Sequence, residues 1–228
     1  MLRSLNNQTN ILTSSLFCVA LFFFILTFSI SLPIYCRQFY YLHIDYLELT
    51  EVSGFTKPEI IGAYDSVLDY LTLPNKEFSV GVMKYSPAGK MHFADCKTLF
   101  SLNSTILLVS EFCVLLLLII RKSGKIGPFL IGKRHASFYS ALAAVFIPLI
   151  IGALASLNFD KAFEVFHKIF FPQKQNWILN PKTDEIINVL PQKFFMNCAI
   201  LIGVSILVFS GILILYQWFN GKKIAAKG

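Results

Sequence analysis

The chain has 228 residues, 55% of them hydrophobic and 14% charged, and carries a formal net charge of +7 at pH 7. A chain this oily with so few charges points to the membrane, and its positive excess is a topology signal and an attraction to anionic lipid, not a nucleic-acid footprint. GxSxG, HExxH, phosphate-loop and GxGxxG patterns are all missing, which removes the usual hydrolase, zinc-protease and nucleotide-binding readings.

Four apolar stretches, 11–35, 104–120, 137–157 and 194–219, run through the chain. Each is near or above the ~17–20 residues that a helix needs to cross ~30 Å of hydrocarbon. A backbone in lipid must close its own hydrogen bonds, so all four are predicted to be spanning helices. The first exceeds the ~7–15 residues of a signal-peptide core and no A-x-A cleavage pattern follows it, so a retained helix is expected. No internal repeat or linker interrupts the chain, and residues 1–228 are read as one integral membrane domain.

Orientation follows from the basic residues of the short flanking segments. Arg3, then Arg121, Lys122, Lys125, Lys133 and Arg134, then Lys222, Lys223 and Lys227 stand without a single acid among them. Those segments, both termini included, are predicted to be cytoplasmic. The long loops, about 36–103 and 158–193, are then extracytoplasmic and hold every acid except Glu111, together with His43, His92 and His167. Glu111 falls inside the second span, where an ionisable group is expected to face protein as a hydrogen-bonded neutral acid. His135, in the basic connection, is expected to face headgroups.

The first long loop has structure of its own. Thr56 is available as a cap and Pro58 as a first helical residue, and Ile60, Ile61, Tyr64, Val67, Leu68 and Leu71 recur at helical spacing, so a helix to about Leu73 is predicted. Phe78, Val80 and Val82 alternate, which predicts a short strand over 77–85 and a turn at 86–89. In the second loop a greasy helix is predicted over 163–171, carrying His167, and another short helix begins at Asp184-Glu185 and ends near Pro191. Trp177 with the neighbouring phenylalanines suits an interfacial aromatic belt. Cys18, Cys113 and Cys198 fall in spans, and Cys36 and Cys96 are the remaining thiols; an odd total does not support a disulfide framework.

The fold class expected is therefore all-α, with four transmembrane helices and a small extracytoplasmic cap of short helices and a short strand. Within it, Met91-His92-Phe93-Ala94-Asp95-Cys96-Lys97 resembles an H-M-x-D-V-K motif. Phe166-His167-Lys168-Ile169-Phe170-Phe171-Pro172 followed by Asn176-Trp177 resembles an F-H-x-I-F-F segment with its N-W pair, and the stretch from Tyr64 to Leu71 is similar to an upstream Y-x-x-L-x-x-Y-L element. These motifs, in this order and with four spans, resemble the bacterial lipoprotein intramolecular transacylases. Phe93 and Cys96 replace the family's Met and Val; His92, Asp95 and Lys97 keep its polar positions.

The resemblance implies an acyltransferase of the bacterial cell membrane whose partner is a diacylated lipoprotein and whose surroundings are membrane lipids. The sn-2 acyl chain of the diacylglyceryl group would move to the α-amine of the N-terminal cysteine, giving the lyso form. It implies His92 and His167 as the catalytic pair, with the division of base and acid between them open. Asp95, three residues after His92, shares its helical face and is placed to hold the imidazole tautomer. Lys97, Tyr64 and Trp177 are candidate substrate contacts. Neither cofactor nor metal is implied, since the histidines lack a clear third ligand. Two other readings remain at this stage: a phospholipid-dependent N-acyltransferase, and a non-catalytic transporter or accessory subunit.

Overall fold

The apolar runs become helices here, and the first, second and fourth of these helices extend well past their runs. The computed structural model describes residues 2–225, with side chains from 10 to 219 apart from residue 147. The elements are α1 (Leu2–Tyr35), α2 (Arg37–Tyr46), α3 (Leu49–Ser53), α4 (Lys57–Thr72), α5 (Pro87–Lys122), β1 (Leu130–Ile131), β2 (Arg134–His135), α6 (Ala136–Leu157), α7 (Phe159–Phe170), α8 (Ile186–Val189) and α9 (Gln192–Ala225). Among them α1, α5, α6 and α9 are long and apolar enough to cross a membrane. The side chains of Arg3, Lys222 and Lys223, and all of Lys227, lie outside the described residues.

α5 has 36 residues. At 1.5 Å each it is about 54 Å long, nearly twice the hydrocarbon thickness. The predicted span at 104–120 is thus only its second half, and the first half carries His92, Asp95 and Lys97.

The described chain divides into two compact units. The first contains the apolar segments up to Ile30, from Ser104 to Gly152 and from Ile202 onward. Its core joins Phe17, Leu21 and Ile25 of α1 to Leu117, Ala136, Ala144 and Ile206, with Phe129 stacked on Phe17 at 4.2 Å. β1 and β2 pair antiparallel around Gly132, whose φ of 60° is a left-handed turn that glycine adopts without strain. His135 packs edge-on to Phe17 and lies 2.9 Å from Ser137 Oγ, so it is a structural residue of this hairpin. Glu111 is exposed on α5, which corrects the expectation of an acid enclosed between helices.

The second unit, Ser31–Asn103 with Ala153–Leu201, holds α2, α3, α4, α7 and α8. The predicted stripe of α4 is its core: Ile60, Tyr64, Val67, Leu68 and Leu71 are buried, and Thr56 and Glu59 form a capping box at its start. Arg37 of α2 pairs with Asp65 at 2.8 Å and also with Asp69, one turn apart on α4. The Tyr40 hydroxyl donates to the Val189 carbonyl at 2.7 Å, which ties the first loop to α8. Residues 77–85 are not a strand: Phe78, Val80 and Met83 are buried in this core, but no segment among the described residues offers them a ladder. Nor is 86–89 a free turn, because it is the opening of α5. All five cysteines are free thiols.

Candidate active site

Two loops that are about a hundred residues apart in sequence are fastened together just before His92. Asp184, 2% exposed, accepts from both the backbone N–H and the hydroxyl of Ser86 at 2.8 Å, while Ser86 Oγ accepts from the Gly89 N–H at 3.0 Å. A carboxylate at the start of α5 also meets the positive end of its dipole. Burial works against its ionisation, yet the Ser86 and Thr183 hydrogen bonds outweigh burial and hold the Asp184 carboxyl below the usual range. A second clip lies beside it: the Glu185 N–H donates to the Lys84 carbonyl at 3.1 Å, and the Lys84 N–H donates to Glu185 Oε2 at 2.8 Å. Gly89 has no substitute here, since a Cβ would come within 2.2 Å of Asp184 Oδ1.

α5 then presents His92, and α7 presents His167 from its last turn; they are 7% and 6% exposed. Their ring centroids are 5.7 Å apart. Phe171 packs against both, at 5.1 Å from His92 and 5.8 Å from His167. Trp177 stacks on His167 at 4.8 Å, with its ring planes 27° apart.

The two imidazoles are held differently. His167 Nδ1 lies 2.7 Å from the Phe163 carbonyl, an acceptor only, so Nδ1 carries the proton and the Nε2 lone pair is open. His92 Nε2 lies 3.6 Å from the Cys96 thiol, whose pKa burial pushes up to about 12, so the neutral S–H is a weak donor to it. His92 Nδ1 is buried with no hydrogen-bond partner among the described residues. Burial, and then the neighbouring His167, push the His92 pKa down to about 4; burial also lowers that of His167, against the opposing Phe163 hydrogen bond. Both rings are neutral at pH 7.

Asp95 does not hold either imidazole. Its carboxylate accepts from Lys174 Nζ at 2.5 Å and from Asn176 Nδ2 at 2.9 Å, which corrects the tautomer-holding expectation. Burial alone would raise the Asp95 pKa, but Lys174 and Asn176 lower it. One turn past His92, Asp95 thus fixes the 174–177 segment, and Trp177 in that segment covers His167.

The other candidates diverge. Tyr64 is a core residue, 6% exposed and stacked on Tyr40 at 3.7 Å. Lys97 donates to the Leu73 carbonyl at 3.3 Å and covers the Tyr70 ring at 4.4 Å, so it ties α5 to the end of α4. Sequence reasoning missed Ser86, Gly89, Lys174 and Phe171. Ser-Pro ahead of the helix was a readable start signal, a cap before a proline in the first helical position, which the turn reading obscured. Beyond Trp177 opens a cleft of about 500 Å³, bordered by Lys168, Phe171, Lys174 and Ile178 among others.

A family model described as lipoprotein intramolecular transacylase Lit matches residues 15–195. The solved structure of the membrane-integral lipoprotein intramolecular transacylase Lit from Bacillus cereus superposes with a TM-score of 0.85 at 24% identity, over 96% of this chain and 99% of that one. A variant of that protein with a histidine replaced by alanine gives 0.81 at 22% identity, over 99% and 100%. At these identities the likeness establishes the fold of a membrane-integral protein. A relative from Aquifex aeolicus (strain VF5), described as an uncharacterized protein, is 30% identical over 97 residues, and the alignment spans only 44% of its length.

Proposed function

Since the chain belongs to the lipoprotein intramolecular transacylase family Lit, we propose that it moves an acyl chain within a diacylated bacterial lipoprotein, from the glyceryl sn-2 oxygen to the α-amine of the N-terminal cysteine. The observation that carries this reading is the pair of buried neutral imidazoles with one open acceptor, His167 Nε2, and one unpartnered nitrogen, His92 Nδ1. With the thiol donating to His92 Nε2, His92 Nδ1 bears the proton.

An ester-to-amide transfer needs those two groups. The amine nitrogen attacks the ester carbonyl carbon while His167 Nε2 takes its proton, and His92 Nδ1–H donates to the oxyanion that forms. The intermediate collapses, the carbon–oxygen bond to the glyceryl group breaks, and the departing alkoxide takes the proton back from the His167 imidazolium. One amide replaces one ester with no net change in protons. Because donor and acceptor are on one molecule, neither ATP nor a second acyl donor enters, and holding the groups ~3–3.5 Å apart recovers much of the entropy of a bimolecular attack. A neutral His92 suits its role, since a second positive ring beside the transient His167 imidazolium would oppose the step.

Asp95 is a positioning residue acting through Lys174 and Asn176, and Trp177 orients His167. The exposed Phe166, Ile169, Phe170 and Ile178 support contact between this region and lipid. With the basic flanks cytoplasmic by charge, the chain works as one integral membrane domain of the bacterial cell membrane, with both termini inside and the histidine pair on the outer side. The test is purified protein in detergent without phospholipid, given a synthetic diacylated lipopeptide. Tandem mass spectrometry should find a product of unchanged mass with one acyl chain on nitrogen. Product that gains an acyl mass only when phospholipid is added would end the intramolecular reading.

A further inference from the structure

We propose that Asn176 is a substrate-contacting residue whose amide oxygen accepts a hydrogen bond from the attacking amine and thereby orients the nucleophile. This deepens the transacylase reading and rests on it. Asn176 Nδ2 donates to Asp95 Oδ2 at 2.9 Å. A carboxylate only accepts, so the amide nitrogen must face Asp95 and the oxygen must lie on the other side. That oxygen, Oδ1, is buried and has no hydrogen-bond partner among the described residues. Buried polar atoms are nearly always paired, and an exception beside reactive groups marks the place of an absent donor.

Its neighbours say which donor. Asp95, which grips the amide, is one helical turn beyond His92, and Trp177, the next residue, stacks on His167. Asn176 is therefore fastened on one side to the helix of one imidazole and on the other to the cover of the second. A neutral primary amine brings a lone pair and two N–H groups to the attack. The lone pair goes to the carbonyl carbon and one N–H goes to His167 Nε2. The second N–H needs an acceptor, and His92 Nδ1 is committed as a donor. Asn176 Oδ1, buried and without a partner among the described residues, is the acceptor assigned to it. An amide also fits better than a carboxylate, because a negative group there would repel Asp95 and would stabilise the unreactive ammonium.

The experiment compares two diacylated lipopeptides, one with a primary α-amine and one N-methylated at that nitrogen, on the wild type and on Asn176→Ala in detergent, with thermal unfolding of each protein in parallel. The variant should lose about 10- to 100-fold in kcat/KM on the primary amine. N-methylation, which removes the second N–H, should slow the wild type by a comparable factor, yet slow the variant by less than about threefold, a non-additivity that a merely structural role does not produce. Should Asn176→Ala not fold, Asn176→Leu fills a similar volume with no acceptor at all and carries the same expectation. Equal rates of wild type and variant on the primary amine, or an equal N-methyl effect in both, would overturn the assignment while leaving the transacylase reading intact. A wild type that forms no N-acyl product would instead sink the transacylase reading, and this assignment with it.

Discussion

His43 on α2 and His167 on α7 are built alike and end differently. In each, Nδ1–H donates to the carbonyl one turn back, Phe39 at 2.6 Å or Phe163 at 2.7 Å, and in each that phenylalanine ring lies 4.4 Å from the imidazole. The same tether leaves the same nitrogen, Nε2, as a lone-pair acceptor. At His43 that acceptor is taken by the Asn197 amide, 3.0 Å away. At His167 no described residue takes it, and the adjacent imidazole has an unpartnered nitrogen of its own. A histidine in a loop helix is thus a structural brace when its second nitrogen is closed, and has a lone pair to offer when it is open.

The widest break in this comparison comes from removing each ring. His167→Ala and His92→Ala should each lower the rate of lyso-lipoprotein formation by about 10²- to 10⁴-fold, the usual worth of a positioned proton-transfer group. His43→Ala should leave the rate within a few-fold and lower the unfolding midpoint, because it strands the Asn197 amide and opens a gap beside Phe39 and Phe194. Rate assays on the three purified variants, with thermal unfolding alongside, decide it. Comparable catalytic loss in all three would erase the distinction between open and closed rings.

Next in size is the fastening that brings the two loops together. Gly89→Ala forces a Cβ against Asp184 Oδ1, a fixed and hydrogen-bonded oxygen, so α5 and the 180s must part locally. Overpacking of this kind typically costs about 1–3 kcal/mol, and here it also moves the helix that carries His92. Thermal melts should show the loss, and activity should fall with it, whereas Gly62→Ala, which meets open space on α4, should be neutral or slightly stabilising.

What could be read from the sequence follows the same divide between local and distant causes. The four long apolar helices and α4 with its Thr56 cap depend on periodicity and composition within one segment, and each covers the run that predicted it. The histidine pair was legible through its flanking motifs. The Ser86–Asp184 latch, the turn of Asp95 toward Lys174 and Asn176, and the burial of Tyr64 all join residues far apart in the chain, and no local pattern encodes such a partner. The strand expected at 77–85 fails for the same reason. Alternating Phe78 and Val80 record burial against the unit's core, while a strand also requires a paired neighbour, and only the Lys84–Glu185 clip is supplied.

A change of pH sharpens the picture of two neutral rings. With the His92 pKa at about 4 and that of His167 below its ordinary 6.5, neither ring gains a proton between pH 7 and 8. The rate should therefore climb toward pH ~8 with the substrate's own α-amine, ordinarily near 7.7–8.0, and show no separate step at 6.5. Stability has the opposite limb to inspect. Unfolded His92 binds its proton at about 6.5 and the folded ring not until about 4, so the unfolded state holds more protons between those values and stability falls as pH drops through them, by roughly 3 kcal/mol in full. Melts of the wild type and His92→Ala from pH 7 to 4 should diverge in that window.

The smallest change probes what keeps His92 open. Cys96 replaces the Val of the motif that this stretch resembles, and its thiol is the only described hydrogen-bond partner of the His92 ring, at 3.6 Å. With no thiol there, Cys96→Val lets the proton move to Nε2 and takes the donor from the oxyanion. An S–H is a weak donor and an ordinary hydrogen bond nets only about 0.5–1.5 kcal/mol, so Cys96→Val should lower the rate by only about 2- to 10-fold. An unchanged rate in that variant, with its melting temperature also unchanged, would mean that the thiol does not decide which nitrogen of His92 carries the proton.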